Sequence, residues 1–358
     1  MKTRMTELFG IRYPIMLSGM NWLTTPKLVA AVSNAGGLGV LAGAQYNPEG
    51  LRKAIQEIRS LTNKPFGVNL TLGVGSGPLA KVVIEEKVPV FNYSLGRPPE
   101  IAPLIQAVHA YGGKVLGTIA LVKHGQRSEQ LGADALIVTG YEAASHSGNV
   151  GAIVLLPQVV EAVKVPCIGA GGYADGKGLA AALALGAEGV AMGTRLAATK
   201  EAEVADTIKQ VWVKATEEDT IIDPAFDGIN CRVWKNKAAE DILKKKGFPL
   251  FDAVSAGLMM KKTLKMSYGQ LFNTAMKMRG QQGGIGGGKR SMASIMRFAV
   301  GSRLFRKATT EGDPEHGILM MGQGAGRIHD IPTVQEILDR SVAEAKLSLA
   351  RMNKIAAE

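Results

Sequence analysis

The fold is decided by the stretch Ala135-Leu-Ile-Val-Thr-Gly-Tyr-Glu-Ala-Ala-Ser-His-Ser-Gly148. Its first five residues are apolar or β-branched without polar alternation, which predicts a strand buried on both faces of a parallel sheet. Gly140 ends the strand, and the small residues Ala143-Ala-Ser145 lead to His146 beyond its carboxyl end. Because α/β enzymes carry their catalytic groups at this end of the strands, His146 is the candidate catalytic residue. The alternative is a polar loop histidine without a role.

The same unit, an apolar strand followed by a helix, recurs along the first 200 residues. Strands are predicted at residues 14–20, 38–43, 66–71, 88–93, 114–120, 135–139, 166–171 and 189–193. An amphipathic helix is predicted after the second strand, because Leu51, Ile55 and Ile58 form an apolar stripe along one side. Eight such units closed on themselves predict an α/β fold, a (β/α)₈ TIM barrel. An open doubly wound sheet is the alternative, but no Gly-x-Gly-x-x-Gly fingerprint opens the first helix.

From about Leu196 the repeat stops, and the chain becomes polar, helical in pattern and rich in lysine. We therefore predict a cofactor-binding barrel over residues 1–200 and a mainly helical C-terminal subdomain over residues 201–358. The subdomain is expected to cover the active site at the barrel mouth. Its last helix, from Thr333 to about Met352, is expected to pack back on the barrel. The alternative is a solvated bundle that does not contact the site.

Charge and aromatic content bear on the kind of partner. The formal net charge is +11, but the basic residues are spread along the chain and aromatic residues make up only 5%. With no stacking platform and no helix-turn-helix pattern, a nucleic-acid partner is not expected. A basic surface suits anionic cofactors and thioester substrates instead.

Cysteine content and the absence of long apolar stretches bear on location. Two cysteines, Cys167 and Cys231, do not form a disulfide framework, so a cytoplasmic protein is expected. The N-terminal residues show no apolar signal-peptide core, and no 18-residue apolar stretch predicts a membrane span. No metal site is predicted.

One glycine-rich stretch, Gly283–Arg290, comes close to the phosphate loop of nucleotide hydrolases. A true phosphate loop needs a buried strand before it and a hydroxyl residue after its lysine. Here two glutamines precede the stretch and Arg290 stands at the hydroxyl position. Nucleotide hydrolysis is therefore not expected.

A stronger phosphate signal is divided between two neighbouring strand ends. Gly169-Ala-Gly-Gly172 ends the seventh strand, and Ala191-Met-Gly-Thr-Arg195 ends the eighth. In (β/α)₈ barrels the loops after these strands often hold a phosphate through backbone N–H groups. Two further strand ends are expected to face a ligand, Ser18-Gly-Met20 with its bare backbone and Asn69 with its amide.

Taken together, these segments resemble the nitronate monooxygenase family, the 2-nitropropane dioxygenase-like flavoproteins. The resemblance covers roughly residues 5–200 and extends more weakly to Gly322–Thr333. The motifs that carry it are Pro14-Ile-Met with Gly19-Met20, Phe66-Gly-Val-Asn69, Gly140-Tyr-Glu-Ala-Ala-Ser-His146, Gly169-Ala-Gly-Gly-Tyr-Ala-Asp-Gly176 and Met192-Gly-Thr-Arg195.

The resemblance implies a non-covalently bound FMN across the barrel mouth, with His146 as the active-site histidine. The cofactor contacts carried over by motif are Gly19, Met20, Asn69, Gly171, Gly172, Met192, Gly193 and Thr194. At four further candidate contacts this sequence has a residue that differs from the one common in the family. These are Thr118, Thr139, Ala144 and Ala191. Ala144-Ser145 replaces the usual pair of glycines before the histidine.

The activity that the resemblance implies is FMN-dependent oxidation of an alkyl nitronate by O₂. His146 would be the base at the carbon next to the nitro group, or a hydrogen-bond donor to the nitro oxygens. The alternatives within the same flavoprotein family are an NAD(P)H:quinone reductase and an enoyl-thioester reductase, for which the basic runs at 244–246 and 303–307 suit a phosphate. A catalytically silent flavin-binding barrel is a further alternative. Candidate partners are thus a small-molecule substrate, O₂ or a quinone, NAD(P)H and a second copy in a homodimer.

Overall fold

The computed structural model describes residues 1–73, 76–244, 267, 269–270, 273, 276, 282–283, 288–289 and 292–357. Eight parallel strands alternate with helices over the first 200 residues. The strands are β1 (Ile15–Leu17), β2 (Gly39–Ala42), β3 (Phe66–Leu72), β4 (Val90–Leu95), β5 (Lys114–Ile119), β6 (Ala135–Thr139), β7 (Cys167–Ala170) and β8 (Gly189–Met192). The helices are α1 (Arg4–Phe9), α2 (Pro26–Asn34), α3 (Pro48–Leu61), α4 (Gly77–Glu85), α5 (Pro98–His109), α6 (Val122–Gln130), α7 (Ala152–Ala162), α8 (Gly176–Ala184) and α9 (Thr194–Ala197).

The first strand closes the sheet on itself. The strands follow one another in the order β1-β8-β7-β6-β5-β4-β3-β2, so β1 pairs with β8. On its other side β1 meets the residue before β2, because the N–H of Leu17 donates to the carbonyl of Leu38 at 2.9 Å and the N–H of Leu38 donates to that of Ile15 at 3.1 Å. These bonds join the two ends of the sheet. The predicted (β/α)₈ barrel is confirmed, and the doubly wound alternative is excluded.

The barrel interior is packed at its N-terminal end. Met5 and Phe9 of α1, a helix that the sequence analysis did not predict, pack with Met16, Val40 and other inward-facing residues. A separate and larger apolar layer lies between the strands and the outer helices. Because α1 fills the N-terminal end, the open end lies where the strands have their carboxyl ends.

The C-terminal part contains a β-hairpin beside its helices, a feature that the prediction of a mainly helical part did not specify. Its strands β9 (Thr220–Asp223) and β10 (Cys231–Trp234) pair antiparallel. They are only four residues long, too short for a clear alternation of polar and apolar residues. The other elements are α10 (Asp206–Lys214), α11 (Lys237–Lys244), β11 (Gln282–Gly283), β12 (Gly288–Lys289), α12 (Met292–Thr309), a 3₁₀ helix (Gln323–Arg327) and α13 (Val334–Ala357).

Some sequence predictions concern residues that the structure does not describe. The glycine-rich stretch is bounded by the paired strands β11 and β12, and residues 284–287 between them lie outside the described residues. So do Lys245 and Lys246 of the basic run. The division into a barrel at 1–200 and a subdomain at 201–358 stays a proposal. No helix in the described part of the chain is long and apolar enough to cross a membrane.

The last helix, α13, packs closely against α8 of the barrel. Gly176, the first residue of α8, allows this approach, because a Cβ there would lie 2.1 Å from the carbonyl oxygen of Ser341 and 2.6 Å from the nitrogen of Ala345. The N–H of Gly176 also donates to Oε2 of Glu344 at 2.9 Å. This contact holds the C-terminal part of the chain on the barrel.

We expect Gly176→Ala to destabilise the protein, because the added methyl group collides with backbone atoms of α13. The expected loss is about 1–3 kcal/mol in the free energy of unfolding, measured by chemical denaturation. Gly77→Ala is the matched control, since Gly77 is also the first residue of a helix and a Cβ there meets nothing within 4 Å. That variant should stay within about 1 kcal/mol of the parent. Equal losses in the two variants would contradict the assignment of the close contact to Gly176.

Candidate active site

His146 forms a hydrogen-bonded pair with Asp227, a residue of the loop between β9 and β10. The Nε2 atom of His146 lies 2.6 Å from Oδ2 of Asp227. The Asp227 side chain is 1% exposed and that of His146 is 29% exposed. When the carboxylate accepts the Nε2 hydrogen, the lone pair of a neutral imidazole is on Nδ1, which lies 3.4 Å from Oγ of Ser145. His146 is therefore held in one orientation by a buried acid that the sequence analysis did not identify.

The backbone before His146 is held in an unusual conformation. Ser145 has φ of 59°, in the left-handed region that a non-glycine residue enters at a cost of roughly 1–2 kcal/mol. Two backbone hydrogen bonds stabilise it there. The N–H of Ser145 donates to the carbonyl of Arg232 at 3.0 Å, and the N–H of Arg232 donates to the carbonyl of Ser145 at 2.9 Å. These bonds fix the histidine loop on β10.

The buried side chain of Arg232 strengthens the same connection. Its guanidinium lies 4.5 Å from the centre of the Tyr141 ring, and Nη2 donates to the carbonyl of Tyr141 at 3.1 Å. Nη1 donates to Oγ1 of Thr220 on β9 at 2.9 Å. A guanidinium that stacks on an aromatic ring and donates in fixed directions is a rigid clamp. It joins the loop after β6 to the hairpin that carries Asp227.

A cradle of backbone N–H groups lies at the ends of β7 and β8. Gly171 and Gly172 have φ of 98° and 79°, both in the left-handed region, and backbone turns of this kind are common in anion-binding loops. No acceptor for the N–H groups of Gly171, Gly172, Gly193 or Thr194 is found among the described residues. A Cβ at Gly193 would lie 3.3 Å from Sδ of Met20, a tight contact that a glycine avoids. These unpaired donors fit a phosphate group.

A row of polar side chains crosses the barrel mouth from β3 to β5. Nδ2 of Asn69 donates to Oδ1 of Asn92 at 2.7 Å, and Nδ2 of Asn92 donates to Oγ1 of Thr118 at 2.9 Å. Gly19 lies directly beside this row, since a Cβ there would come 2.7 Å from the Cβ of Asn69. Asn92 is almost fully buried and was not predicted, because it lies inside an apolar run. The row offers amide and hydroxyl groups to the polar edge of a planar ligand.

The predicted site residues surround one large cavity at the barrel mouth, of about 1410 Å³. His146 and eleven of the twelve predicted cofactor contacts line it. These eleven are Gly19, Met20, Asn69, Thr118, Thr139, Ala144, Gly171, Gly172, Ala191, Gly193 and Thr194. Met192 is the exception, because its side chain is fully buried in the layer between strands and helices. Its backbone carbonyl still accepts the N–H of Ser18 at 3.1 Å.

The C-terminal part of the chain supplies one side of this cavity. Asp227, Ile229, Phe305 and Met320 line it together with residues of the barrel. The ring of Trp22, in the loop after β1, lies 6.4 Å from the ring of Phe305 across the mouth. The cavity is therefore enclosed by residues from both parts of the chain.

The N–H cradle and the polar row together fit FMN. The cradle offers unpaired donors to the phosphate, and the polar row lines the same cavity and offers amide and hydroxyl groups to the flavin ring. Glycines at both places leave room for close backbone approach. The donor set of this structure thus agrees with the cofactor that the sequence resemblance implies.

Comparison with known proteins gives the family. The family model described as nitronate monooxygenase matches residues 2–77 and 73–344 of this chain. A (3aS,4S,5R,7aS)-5-hydroxy-7a-methyl-1-oxo-octahydro-1H-indene-4-carboxyl-CoA dehydrogenase of Rhodococcus jostii is 35% identical over 347 residues, 96% of each chain. A probable nitronate monooxygenase of Staphylococcus aureus is 32% identical over 292 residues, 69% of this chain and 82% of its own.

Among solved structures, FabK from Thermotoga maritima is 35% identical to this chain with a TM-score of 0.79, and the match covers 99% of both chains. The family model spans nearly the whole chain, and the name of the Staphylococcus relative agrees with its description. The chain therefore belongs to the nitronate monooxygenase family and is an enzyme of the flavin-dependent oxidoreductase type.

Proposed function

We propose that this protein is an FMN-dependent oxidoreductase that acts on an acyl-CoA thioester, at the carbons next to the thioester carbonyl. This is the thioester class that the sequence analysis kept as an alternative to nitronate oxidation. The observation that carries the proposal is the size of the cavity, about 1410 Å³. Sites for single drug-sized ligands are about 300–1,000 Å³, so this cavity suits a cofactor and a sizeable second ligand.

The relatives support a large substrate. The Rhodococcus relative, matched over 96% of both chains, is named for a carboxyl-CoA substrate. An alkyl nitronate has only a few heavy atoms and would leave most of the remaining space unfilled. The basic side chains of Lys123, Arg127 and Arg306 also line the cavity. Positive charge at a cavity mouth attracts an anionic ligand such as coenzyme A.

FMN is expected to be held by the cradle of Gly171, Gly172, Gly193 and Thr194 at its phosphate and by the row from Asn69 to Thr118 at its ring. When bound, FMN supplies reversible two-electron transfer. The residues of this chain provide its position and the surrounding charge.

His146 is proposed to handle the proton of the reaction. In the direction of reduction, a double bond beside the carbonyl receives a hydride at one carbon and a proton at the other. The buried Asp227 carboxylate stabilises a protonated imidazole, which would donate its Nδ1 hydrogen to the substrate. In the reverse direction Nδ1 accepts that proton. A His–Asp pair built in this way disfavours a catalytically silent barrel.

Nitronate oxidation is the second candidate, favoured by the family model that matches residues 2–77 and 73–344. In that reaction His146 would stand beside the carbon next to the nitro group. Four points stay predictions: the specificity for nitronates, the use of O₂ or a quinone as acceptor, NAD(P)H as co-substrate, and the homodimer.

The thioester proposal is tested by anaerobic flavin spectroscopy. The FMN-loaded protein is reduced chemically and then mixed with cyclohex-1-ene-carboxyl-CoA or crotonyl-CoA. We expect the absorbance of oxidised flavin to return without O₂, because the double bond accepts the electrons. Free crotonate and coenzyme A without an acyl group are the matched controls and should leave the flavin reduced.

The same experiment separates the two candidates. If a nitronate bleaches the oxidised flavin anaerobically while neither thioester reoxidises the reduced form, the thioester proposal is wrong. Chemical reduction removes any dependence of this result on NADH or NADPH.

The role of the pair is tested by His146→Ala and Asp227→Asn. We expect His146→Ala to slow thioester-driven reoxidation by roughly 100-fold or more, because a positioned acid or base contributes about 10²–10⁴. Asp227→Asn should cost about 10-fold or more, because the ring loses its charged partner. Flavin content, measured by absorbance after gel filtration, should not change.

The chain offers a matched control for these variants. His109 forms a similar pair, with Nε2 at 2.8 Å from Oδ2 of Asp134, but the cavity lining does not include it. His109→Ala should leave the reoxidation rate unchanged. An undiminished rate in His146→Ala would remove His146 from the mechanism.

A further inference from the structure

Cys231 adds a thiol to the His146–Asp227 pair. Cys231 is the first residue of β10, and its side chain is fully buried. One donor atom from each of His146, Asp227 and Cys231 lies within 4.8 Å of the other two. Among the described residues these three form the one such group of metal-ligating side chains. The reaction proposed above makes no use of the thiol.

We propose that His146, Asp227 and Cys231 form a binding site for one Zn²⁺ ion or a similar thiophilic divalent cation, and that its occupation inhibits the enzyme. Imidazole nitrogen, carboxylate oxygen and thiolate sulfur are the three ligand types of zinc in proteins. Three protein ligands with one open position are typical of zinc sites that exchange ligands.

The geometry is close to that of a tetrahedral site. Zinc bonds of about 2.0 Å to nitrogen or oxygen and about 2.3 Å to sulfur place tetrahedral ligand atoms roughly 3.3–3.5 Å apart. The present separations, at most 4.8 Å, therefore require movements of only about 1.5 Å or less. The proton that Nε2 of His146 shares with Oδ2 of Asp227 is one that a metal ion replaces on binding.

Charge balance favours a divalent cation at this place. A carboxylate and a thiolate together carry two negative charges, which one Zn²⁺ neutralises, and a neutral complex costs less to bury than separate ions. Without a metal, burial raises the pKa of the Cys231 thiol well above its usual value. Metal binding therefore releases the thiol proton, and apparent affinity rises with pH.

The metal has a route to the site and a position left for a further ligand. His146 and Asp227 line the cavity, and the His146 side chain is 29% exposed. The fourth ligand of the ion would come from the cavity. Metal binding does not depend on the proposed function, whereas inhibition does. An ion on Nε2 breaks the hydrogen bond to Asp227 and prevents the ring from forming the imidazolium that donates its proton from Nδ1.

Cobalt is the direct probe, because Co²⁺ bound by a thiolate gives a charge-transfer band and also visible bands at longer wavelengths than oxidised flavin absorbs. We titrate the FMN-loaded protein with Co²⁺ and record difference spectra. The whole chain has two cysteines, so Cys167 provides the matched control. Cys167 is a buried thiol on β7, with its pKa raised by burial to about 12, and it belongs to no such group in the described chain.

We expect one equivalent of Co²⁺ to give the thiolate band in the parent protein and in Cys167→Ala, but not in Cys231→Ala. Zn²⁺ should displace the cobalt and inhibit thioester-driven reoxidation in the first two proteins. Its inhibition constant in Cys231→Ala should be at least tenfold higher. A missing band in the parent, or the same band in Cys231→Ala, overturns the proposal.

A second variant distinguishes loss of the metal ligand from a folding defect. Cys231→Ser keeps the size of the side chain but lacks the sulfur, so it should lose the charge-transfer band while flavin content and melting temperature stay near those of the parent. If the band appears but Zn²⁺ leaves the reaction rate unchanged, the metal site stands and the inhibition is disproved. If neither thioester reacts, the cobalt spectrum still tests the site independently of the proposed function.

Discussion

Closure of the barrel through β1 is the constraint on which the rest of the structure depends. The short strand β1 pairs with β8 on one side and meets Leu38 on the other, so every strand has two neighbours. Closure brings the carboxyl ends of all eight strands to one rim, with α1 filling the opposite end. The N–H cradle, the polar row and His146 face one another only because of this geometry.

The local features were predictable because neighbouring residues in the chain determine them. β6 and the position of His146 follow from one continuous stretch, and so does the glycine turn after β7. Met192 shows where the motif alone was insufficient. Side chains alternate across a strand, so Ala191 faces the barrel interior while Met192 faces the outer helices. The match to the family motif treated Ala191 and Met192 alike and did not separate the two side-chain directions.

The features that were missed depend on contacts between distant parts of the chain. Asp227 pairs with a residue 81 positions away, and nothing in its own segment indicates that partner. Asn92 lies within an apolar strand, and its use becomes clear only from Asn69 and Thr118 on the strands beside it. The strands β9 and β10 are only four residues long, so the sequence shows too little alternation of polar and apolar residues to predict the hairpin.

The origin of the His146–Asp227 pair in two parts of the chain has an evolutionary consequence. The strand-end glycines and amides that fit the cofactor belong to the barrel, whereas the acid that orients His146 comes from a hairpin loop outside the barrel sheet. On the proposed mechanism, substitutions in that loop change the partner of His146 without changing the barrel residues that fit the cofactor. Relatives on one scaffold can thus diverge in the substrates they accept through changes in a few loop residues, without rebuilding the flavin site.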